Sequence, residues 1–456
     1  MEAFSNAVSV VNSFVWGPWL LVFLVGTGIF LTIRLGFLQF FQLPYALKLA
    51  FSPAQQDRKS KGDISHFQAL MTALAATIGT GNIVGVATAF ILGGPGAVFW
   101  MWITAIFGMA TKYGEAVLAV KYRVVDAKGE MAGGPMFYIE KGLGWKWLAV
   151  LFAFFGAVAA FGIGNLVQIN SVAGNMSSTF NVDPVITGIV LTIFTAIVIL
   201  GGVKSIGRWS SIIVPFMAVF YILGGLYIVF TNLNLLGPAF ALIFTDAFSA
   251  EAGLGALIGT TIRYGVARGL FSNEAGMGSA PIAAAAAKTD HPCRQGLVSM
   301  TGTFLDTIVV CSITGLSLVM ASLGGFIASD PNAAALTSQS FQFFIPYGNI
   351  LVTIALLFFA YSTVLGWSYY GEKCFYYLVG DKGLIPYRVI FCLTVFIGAV
   401  TELDLVWSIA DTFNAAMCIP NLLALLLLSG VIVAETNDFK QLRMKEVSKE
   451  TSNQSA

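Results

Sequence analysis

The sequence contains few charged residues. Asp, Glu, Lys and Arg make up 10% of its 456 residues, whereas a soluble globular domain carries roughly 25%. So few charged residues cannot cover the surface of a water-soluble protein of this size. The composition therefore excludes a soluble enzyme, and with 57% hydrophobic residues it also excludes a disordered chain.

Histidine and cysteine are also scarce. The only histidines, His66 and His291, are too few for a histidine metal centre or a histidine proton relay. The five cysteines are scattered and form no CxxC pair, which is typical of small apolar side chains in a core and excludes a disulfide scaffold. A formal net charge of +1 gives no indication of a nucleic-acid partner.

Long apolar segments, by contrast, recur along the whole chain. Segments of about 18 or more apolar residues are long enough to cross a bilayer as helices. The pattern predicts an all-α integral membrane protein, with the lipid bilayer as its surroundings and eleven transmembrane helices. The predicted spans are 14–34, 66–91, 97–121, 147–175, 184–203, 210–230, 253–286, 296–322, 341–370, 385–401 and 404–433.

The spans suggest a division of the chain into five parts. An N-terminal helix with a cytoplasmic connector precedes a five-helix repeat, an extracellular connector, a second five-helix repeat and a polar tail with nothing to bury. The predicted bounds of these parts are 1–65, 66–230, 231–252, 253–433 and 434–456.

Lys and Arg concentrate on alternate connections between the spans. The connections 231–252 and 323–340 contain neither residue, whereas the tail after Glu435 contains several. Because basic loops stay on the cytoplasmic side of a membrane, we expect an extracellular N-terminus and a cytoplasmic C-terminus in a multi-pass protein of the cell membrane.

Two of the spans are interrupted by small and polar residues near their middle. The interruptions are AATIGTGNIVG at Ala75–Gly85 and RGLFSNEAGMGSAP at Arg268–Pro281. Non-helical backbone at bilayer depth is tolerated where it lines a cavity or is buried in protein. The two interruptions lie five spans apart, so each opens one half of a 5+5 inverted repeat, an arrangement typical of a secondary transporter with its site at the midplane. Close packing between helices is the alternative explanation of such small residues.

Several motifs resemble those of one known family. GGPGAVFWMWITAIFG at Gly93–Gly108, GTGN at Gly79–Asn82, GGPMFYIEKGLG at Gly133–Gly144 and SNEAGMGSAP at Ser272–Pro281 are similar to the alanine or glycine:cation symporters, the sodium:alanine symporter family. The resemblance covers essentially the whole chain. It implies a leucine-transporter-like fold of ten core helices after one extra helix, Na⁺ as the coupling ion, and uptake of alanine, with glycine as a further candidate substrate.

The two interruptions supply groups that suit a zwitterionic amino acid. The free amides of Thr80 and Gly81 would begin a half-helix, which is an anion site by geometry and dipole. The carbonyls of Phe271, Ser272 and Asn273 would be freed at the second interruption and would accept from the substrate ammonium.

Other candidate substrate residues lie on spans four, seven and nine. Asn165 and Gln168, three residues apart, are predicted to share a helix face and to bond the substrate, with an interhelical polar clamp as the alternative. Phe271, Met277 and Trp367 are predicted to wall a small pocket, with ordinary packing as the alternative.

A sodium site is expected between spans two and nine. Ser362 and Thr363 offer two hydroxyls, the Phe359 carbonyl lies one turn earlier, and the first interruption would free the carbonyls of Ala75 and Ile78. This set resembles the sodium site shared across the leucine-transporter-like fold. Back-bonding of the hydroxyls to the preceding turn is the alternative.

Asn82 resembles the residue that binds a second sodium ion in that fold, although the sequence identifies no further ligands for it. Among the intramembrane charges, Lys112 and Glu115 are expected to pair on span three. A pairing of Arg263 or Arg268 with Asp411 is a candidate outer gate.

The combined interpretation is a Na⁺-coupled symporter of small neutral amino acids. A proton-coupled amino-acid symporter, with Glu274 or Asp306 as the proton carrier, is the alternative. A membrane enzyme is not expected because the chain has no DDxxD-type run, and no rings of charge indicate a channel.

Overall fold

The computed structural model describes residues 2–55, 59–248, 259–328, 333–401 and 404–454. Parts of four predicted segments fall in the gaps. The portions of those segments at 1, 56–58, 249–258, 329–332, 402–403 and 455–456 lie outside the described residues.

The described chain is almost entirely helical. The helices up to residue 180 are α1 (Glu2–Val15), α2 (Pro18–Arg34), α3 (Leu38–Phe51), α4 (His66–Thr77), α5 (Gly81–Gly93), α6 (Ala97–Lys121), α7 (Pro135–Tyr138), α8 (Lys146–Phe161) and α9 (Val167–Phe180). The later helices are α10 (Pro184–Ile199), α11 (Gly202–Thr231), α12 (Leu233–Ala247), α13 (Thr260–Asn273), α14 (Ala280–Ala285), α15 (Pro292–Thr303), α16 (Ser312–Leu323), α17 (Ala333–Phe344), α18 (Gly348–Val379), α19 (Leu384–Val400), α20 (Asp404–Leu427) and α21 (Ser429–Gln454). One short antiparallel hairpin pairs β1 (Val124–Val125) with β2 (Met131–Ala132).

The predicted multi-span membrane protein is confirmed. Within the described residues, eight continuous helical stretches are long and apolar enough to cross a membrane, and the bent pair α4–α5 makes nine. Some of these stretches join two consecutive helices, such as α8 and α9 in Lys146–Phe180. The predicted span at 184–203 is a helix of only 16 residues, and the predicted span at 253–286 is divided between the shorter helices α13 and α14. The count of eleven therefore goes beyond what helix length and composition support.

Both interrupted spans are broken helices. The first stops at Thr77 and resumes at Gly81 with a bend of 54°. The second stops at Asn273 and resumes at Ala280. Around these breaks α6 packs against α13, α14 and α15, while α18 packs against α4, α8, α9 and α11.

Glycine permits the closest of these helix contacts. A Cβ on Gly366 of α18 would lie 2.7 Å from the backbone nitrogen of Ala76, and one on Gly265 of α13 would lie 2.5 Å from the carbonyl oxygen of Ala97. Neither position can carry a side chain without separating the helices, so both breaks are held tightly by their neighbours.

The C-terminal segment differs from its prediction. The sequence suggested a polar tail from residue 434 with nothing to bury, yet this segment continues α21, and Phe439 on it is 6% exposed. Arg294 of α15 and Arg443 both pair with Glu446 of α21. Burial opposes the charge on Glu446, but these hydrogen bonds outweigh it and hold the pKa of that carboxyl below its usual range. A few apolar and charged contacts thus fix a segment whose average composition is polar.

Candidate functional site

The first break presents backbone amides near the centre of the bundle. The Gly79 N–H donates to Asn82 Oδ1 at 2.9 Å, and the Thr80 N–H donates to Gln168 Oε1 at 3.2 Å. Thr80, Asn82 and Gln168 are all buried. Side-chain oxygens therefore take the place of helical carbonyls as acceptors for the backbone amides of the break. One of these oxygens belongs to the predicted substrate residue Gln168.

The second break meets the first at Gly81. A Cβ built on Gly81 would lie 3.2 Å from Phe271 Cδ1 and 3.3 Å from Ser272 Cα. Since α13 ends at Asn273 and the Glu274 N–H bonds the Leu270 carbonyl, the carbonyls of Phe271, Ser272 and Asn273 have no following helical amide to bond. The structure thus brings together five predicted substrate residues, with amides on one side and carbonyls on the other: Thr80, Gly81, Phe271, Ser272 and Asn273.

The five oxygens of the predicted sodium site converge. Ser362 Oγ lies 3.3 Å from the Ala75 carbonyl oxygen and 2.9 Å from that of Phe359. Thr363 Oγ1 lies 3.4 Å from the Ile78 carbonyl oxygen and 3.0 Å from that of Phe359, so both hydroxyls also make the bond to the preceding turn that was the alternative explanation. All the contributing residues are buried. Carbonyl and hydroxyl oxygens are the ligands that hard cations prefer.

A second polar group surrounds Asn82. Its Nδ2 donates to Asp306 Oδ1 at 2.7 Å, while Ser272 Oγ and Thr307 Oγ1 donate to Asp306 Oδ2 at 2.9 and 2.8 Å. Asp306 is fully buried. Sequence spacing did not identify Asp306 as a neighbour of Asn82, because the two residues are 224 positions apart. They meet only because the π-helical segment Phe304–Cys311, between α15 and α16, packs against the start of α5.

The predicted wall residues Trp367 and Met277 are buried beneath the two breaks. Trp367 is 2% exposed, and its Nε1 donates to Glu274 Oε1 at 3.1 Å. A Cβ on Gly164 would lie 2.3 Å from Trp367 Cβ, so the tryptophan packs directly on the backbone of the segment between α8 and α9. Glu274 has a left-handed backbone with φ 55° at the end of α13. Its contact with Trp367 is a site feature that the sequence did not indicate.

Comparison with known proteins identifies the family. The model of the sodium:alanine symporter family matches residues 1–454. The chain belongs to the sodium:alanine symporter family. The sodium/alanine symporter AgcS of Methanococcus maripaludis is 68% identical over 97% of this chain and 99% of its own length. The amino-acid carrier protein AlsT of Bacillus subtilis is 37% identical over 97% of this chain and 94% of its own.

Solved structures agree on the fold. A crystal structure of MhsT in complex with L-phenylalanine has a TM-score of 0.61 at 16% identity, covering 83% of this chain and 93% of that one. MhsT is a transporter of the leucine-transporter-like fold. The likeness to this structure shows the fold, and membership of the sodium:alanine symporter family makes the chain a multi-pass membrane transporter and not an enzyme.

The entrance to the site of this symporter lies on the side of helix α1. Two adjoining cavities of about 260 and 230 Å³ reach from Asn12 of α1 down to Thr80 and Phe271. Arg268 and Asp411 line both cavities, but they form no ion pair with each other within the described residues. The expected pairing of Arg263 or Arg268 with Asp411 is therefore not formed among the described residues, although Arg268 and Asp411 line the same cavities.

Asn165 lies apart from the other predicted substrate residues. Its Nδ2 donates to the Phe391 carbonyl at 2.8 Å and to Thr394 Oγ1 at 2.9 Å, both on α19. The prediction assumed regular helical spacing between Asn165 and Gln168. A π-helical turn at Gly162–Leu166 shifts the phase there, so the two side chains face different neighbours.

The expected ion pair between Lys112 and Glu115 is absent from the described structure. Glu115 Oε1 accepts from the Gly278 N–H at 3.0 Å and from Asn421 Nδ2 at 2.6 Å, while Lys112 Nζ has no hydrogen-bond partner. The prediction was wrong because Glu115 turns toward the second break, where a backbone amide and a side-chain amide bind it.

Proposed function

We propose that this protein is a Na⁺-coupled symporter that carries small neutral amino acids into the cell by alternating access, with alanine as the main substrate and glycine as a further one. The observation that carries the proposal is the convergence of five uncharged oxygens at Ser362 and Thr363. Two of these oxygens belong to the broken segment that also presents the Thr80 and Gly81 amides. Ion and substrate would then act on one structural element, which is what coupling requires.

The substrate site is proposed to bind both ends of the zwitterion. The amides of Thr80 and Gly81 receive the carboxylate at the start of α5, where the helix dipole favours an anion. The carbonyls of Phe271, Ser272 and Asn273 receive the ammonium, and Gln168 lies within reach of the carboxylate end because it already touches the Thr80 amide.

A small substrate is favoured by the bulk around the breaks. Phe271 lies against Gly81, and Trp367 and Met277 are both at most 2% exposed beneath them. Asn165 is left out of the proposed site, since its amide bonds α19. The name of the Methanococcus maripaludis relative, a sodium/alanine symporter, supports alanine as the substrate.

A second sodium ion is proposed at Asn82. Asp306 places a negative charge beside Asn82, whose Nδ2 donates to it, and the hydroxyls of Ser272 and Thr307 meet the same carboxylate. A carboxylate among neutral oxygens favours a cation. Ser272 belongs to the proposed ammonium site as well, so this ion would also be coupled to the substrate.

We further propose eleven spans, with one N-terminal helix before two inverted repeats of five at 66–230 and 253–433. The position of a broken helix at the start of each half supports this division. The basic connections support an extracellular N-terminus and a cytoplasmic C-terminus. In that orientation the entrance beside α1 faces the outside of the cell.

Uptake into liposomes tests the function. Purified protein is reconstituted, and radiolabelled alanine uptake is measured with an inward Na⁺ gradient, with K⁺ in place of Na⁺, and with a pH gradient alone, all at a clamped membrane potential. We expect accumulation with Na⁺ at fixed pH and none with K⁺. Accumulation driven by the pH gradient without Na⁺ would instead establish the proton-coupled alternative.

A further inference from the structure

The hairpin β1–β2 lies at the end of the helix bundle opposite the entrance. The entrance cavities are lined by Thr88 of α5 and Arg268 of α13, which are the halves of the two broken spans on one side of the breaks. The other halves are α4 and α14. The hairpin contacts α14 and Asp63, which lies shortly before α4. A path from the substrate site to this end of the bundle therefore runs beside α4, α14 and the hairpin.

Backbone hydrogen bonds join the ends of α4 and α14 beside the hairpin. The Asp63 N–H donates to the Ala286 carbonyl at 2.8 Å. In return, the Lys288 N–H donates to the Ile64 carbonyl at 2.8 Å, which forms a short parallel bridge. The Met131 N–H of β2 donates to Asp63 Oδ2 at 2.7 Å. These bonds fix the two broken spans to each other and to the hairpin.

Arg123 strengthens this connection from the residue before β1. Its Nη1 donates to the carbonyls of Ala285 at 3.0 Å and Ala287 at 2.7 Å, and its Nη2 donates to the Lys61 carbonyl at 2.9 Å. The last carbonyls of a helix have no intrahelical donor, and a cation suits the negative end of the helix dipole. Arg123 therefore holds the end of α14 and the chain before α4 at the base of the hairpin.

Lys373 joins the hairpin to α18. Its Nζ lies 3.1 Å from Asp126 Oδ2 and 3.5 Å from Glu130 Oε2, on either side of the hairpin turn. The side chains of Lys373 and Asp126 are 5% and 4% exposed. Removing one partner of such a buried pair is strongly destabilising, because it leaves the other charge uncompensated. The position of the hairpin against α18 therefore depends on this lysine.

The two partners are each held within their own element. Lys373 Nζ lies 5.8 Å from the ring centres of both Tyr369 and Tyr376 on α18, a distance at which an aromatic ring attracts a cation. Asp126 Oδ1 is used by the hairpin itself, since it accepts from two backbone amides of the turn. The ion pair therefore connects two elements that are each ordered without it.

We propose that Lys373 is a positioning residue whose ion pairs with Asp126 and Glu130 hold the hairpin, and with it α4 and α14, against α18, so that the substrate site stays closed at the end opposite the entrance. The inference rests on the proposed function for the assignment of this end to the cytoplasm, where the hairpin would be part of the inner gate. Release of substrate into the cell then requires these ion pairs to break, whereas the bonds among the hairpin, α4 and α14 are retained.

Variants that remove one charge at a time test the proposal. Lys373→Met keeps an unbranched side chain and loses the ammonium. Asp126→Asn loses the negative charge but keeps the oxygen that accepts from the amides of the turn. The matched control is Glu372→Gln, at the neighbouring position on the same helix. Glu372 also forms a buried ion pair, with Arg388 at 2.7 Å, but that pair joins α18 to the following helix α19.

Distances between spin labels measure the position of the hairpin. One pair of labels is attached at Lys128→Cys in the hairpin turn and Lys382→Cys after α18, and a second pair at Lys128→Cys and Lys61→Cys; all three positions are exposed. Cys392, which is partly exposed, is replaced by Ala so that it takes no label. Double electron–electron resonance is recorded in lipid nanodiscs without substrate for the wild type and each variant.

We expect Lys373→Met to raise the ratio of longer to shorter distances between positions 128 and 382 by at least about tenfold, because the lost pair biases a two-state equilibrium. The distance between positions 128 and 61 should stay unchanged, since the hairpin keeps its bonds to the chain before α4. Asp126→Asn should act in the same direction, and the double variant should show less than the sum of the two effects, because both substitutions remove one interaction. Glu372→Gln should stay within about twofold of wild type, since its partner lies on α19.

Wild-type distances between positions 128 and 382 in Lys373→Met would overturn the proposal, and so would effects of the two substitutions that simply add. An equal change between positions 128 and 61 would also overturn it, because the hairpin would then be losing its own structure. If Lys373→Met does not fold, Asp126→Asn alone decides by the same distances. Failure of the wild type to accumulate alanine with Na⁺ would refute the proposed function, whereas the label distances, which require no transport, would still decide the role of Lys373.

Discussion

The sodium site predicts a specific consequence of Thr363→Ala. The substitution removes one hydroxyl oxygen that lies 3.4 Å from the Ile78 carbonyl and 3.0 Å from the Phe359 carbonyl. It adds no bulk and no charge. Thr363 is 2% exposed, so a water molecule cannot readily take the place of the lost hydroxyl as a sodium ligand.

The size of the effect follows from the number of ligands. One of five oxygens is lost, and a hydrogen bond or contact to a charged partner contributes about 1.5–3 kcal/mol. Since 1.4 kcal/mol corresponds to about tenfold in affinity, the Na⁺ concentration for half-maximal alanine uptake should rise about 10- to 150-fold. Because ion and substrate share the first break, alanine affinity at a fixed low Na⁺ concentration should fall in parallel.

The assay is initial alanine uptake as a function of Na⁺ concentration, with Li⁺-free choline salts holding ionic strength constant. Thr353→Ala is the matched control: it removes the same atoms from the same helix, at a buried position bonded to Thr179 Oγ1 at 2.9 Å. Thr353 lies about 15 Å along the helix from Thr363, so its variant should keep the wild-type Na⁺ dependence. Wild-type Na⁺ dependence in both Thr363→Ala and Ser362→Ala, with transport still measurable, would refute the site.

Three further variants test the substrate and second-ion sites. Gly81→Leu should abolish alanine binding while the protein stays folded in detergent, because its Cβ alone reaches 3.2 Å from Phe271 Cδ1; normal affinity by equilibrium binding would contradict the carboxylate site. Phe271→Ala should admit serine or valine in competition assays, with discrimination reduced by about 1–3 kcal/mol; a changed maximal rate with an unchanged substrate range would assign Phe271 to packing. Asp306→Asn should lower the steepness of the Na⁺ dependence of uptake toward that of a single ion, and an unchanged steepness would remove the second site.

The sequence alone predicted the parts of the site that depend on the backbone and on residues adjacent in the chain. Adjacent hydroxyls at Ser362 and Thr363, and clustered small residues near Gly79, are local features. They led to the correct breaks and to the group of oxygens that the structure brings together. The resemblance to a known family then supplied the distant pairing of these two segments.

Side-chain partners across helices were less predictable. Asn165 turns to α19 because a π-helical turn changes the phase of its helix, and no residue type in that segment specifies such a turn. Glu115 bonds Gly278 and Asn421 in preference to Lys112, which is one turn away on its own helix. Both outcomes depend on which helix packs alongside, and intrinsic spacing contains no information about that.

The bond between the Thr80 amide and Gln168 has a consequence for turnover. In the proposed substrate site, a carboxylate that binds the Thr80 amide would displace the Gln168 oxygen, so that this buried amide would keep an acceptor with and without substrate. An uncapped buried amide would cost about 1–3 kcal/mol, a penalty that would fall on the unloaded carrier at each return step. In the proposed cycle Gln168 would replace the substrate carboxylate at the Thr80 amide. It would lower the net free energy gained on substrate binding, and it would also lower the cost of the empty state.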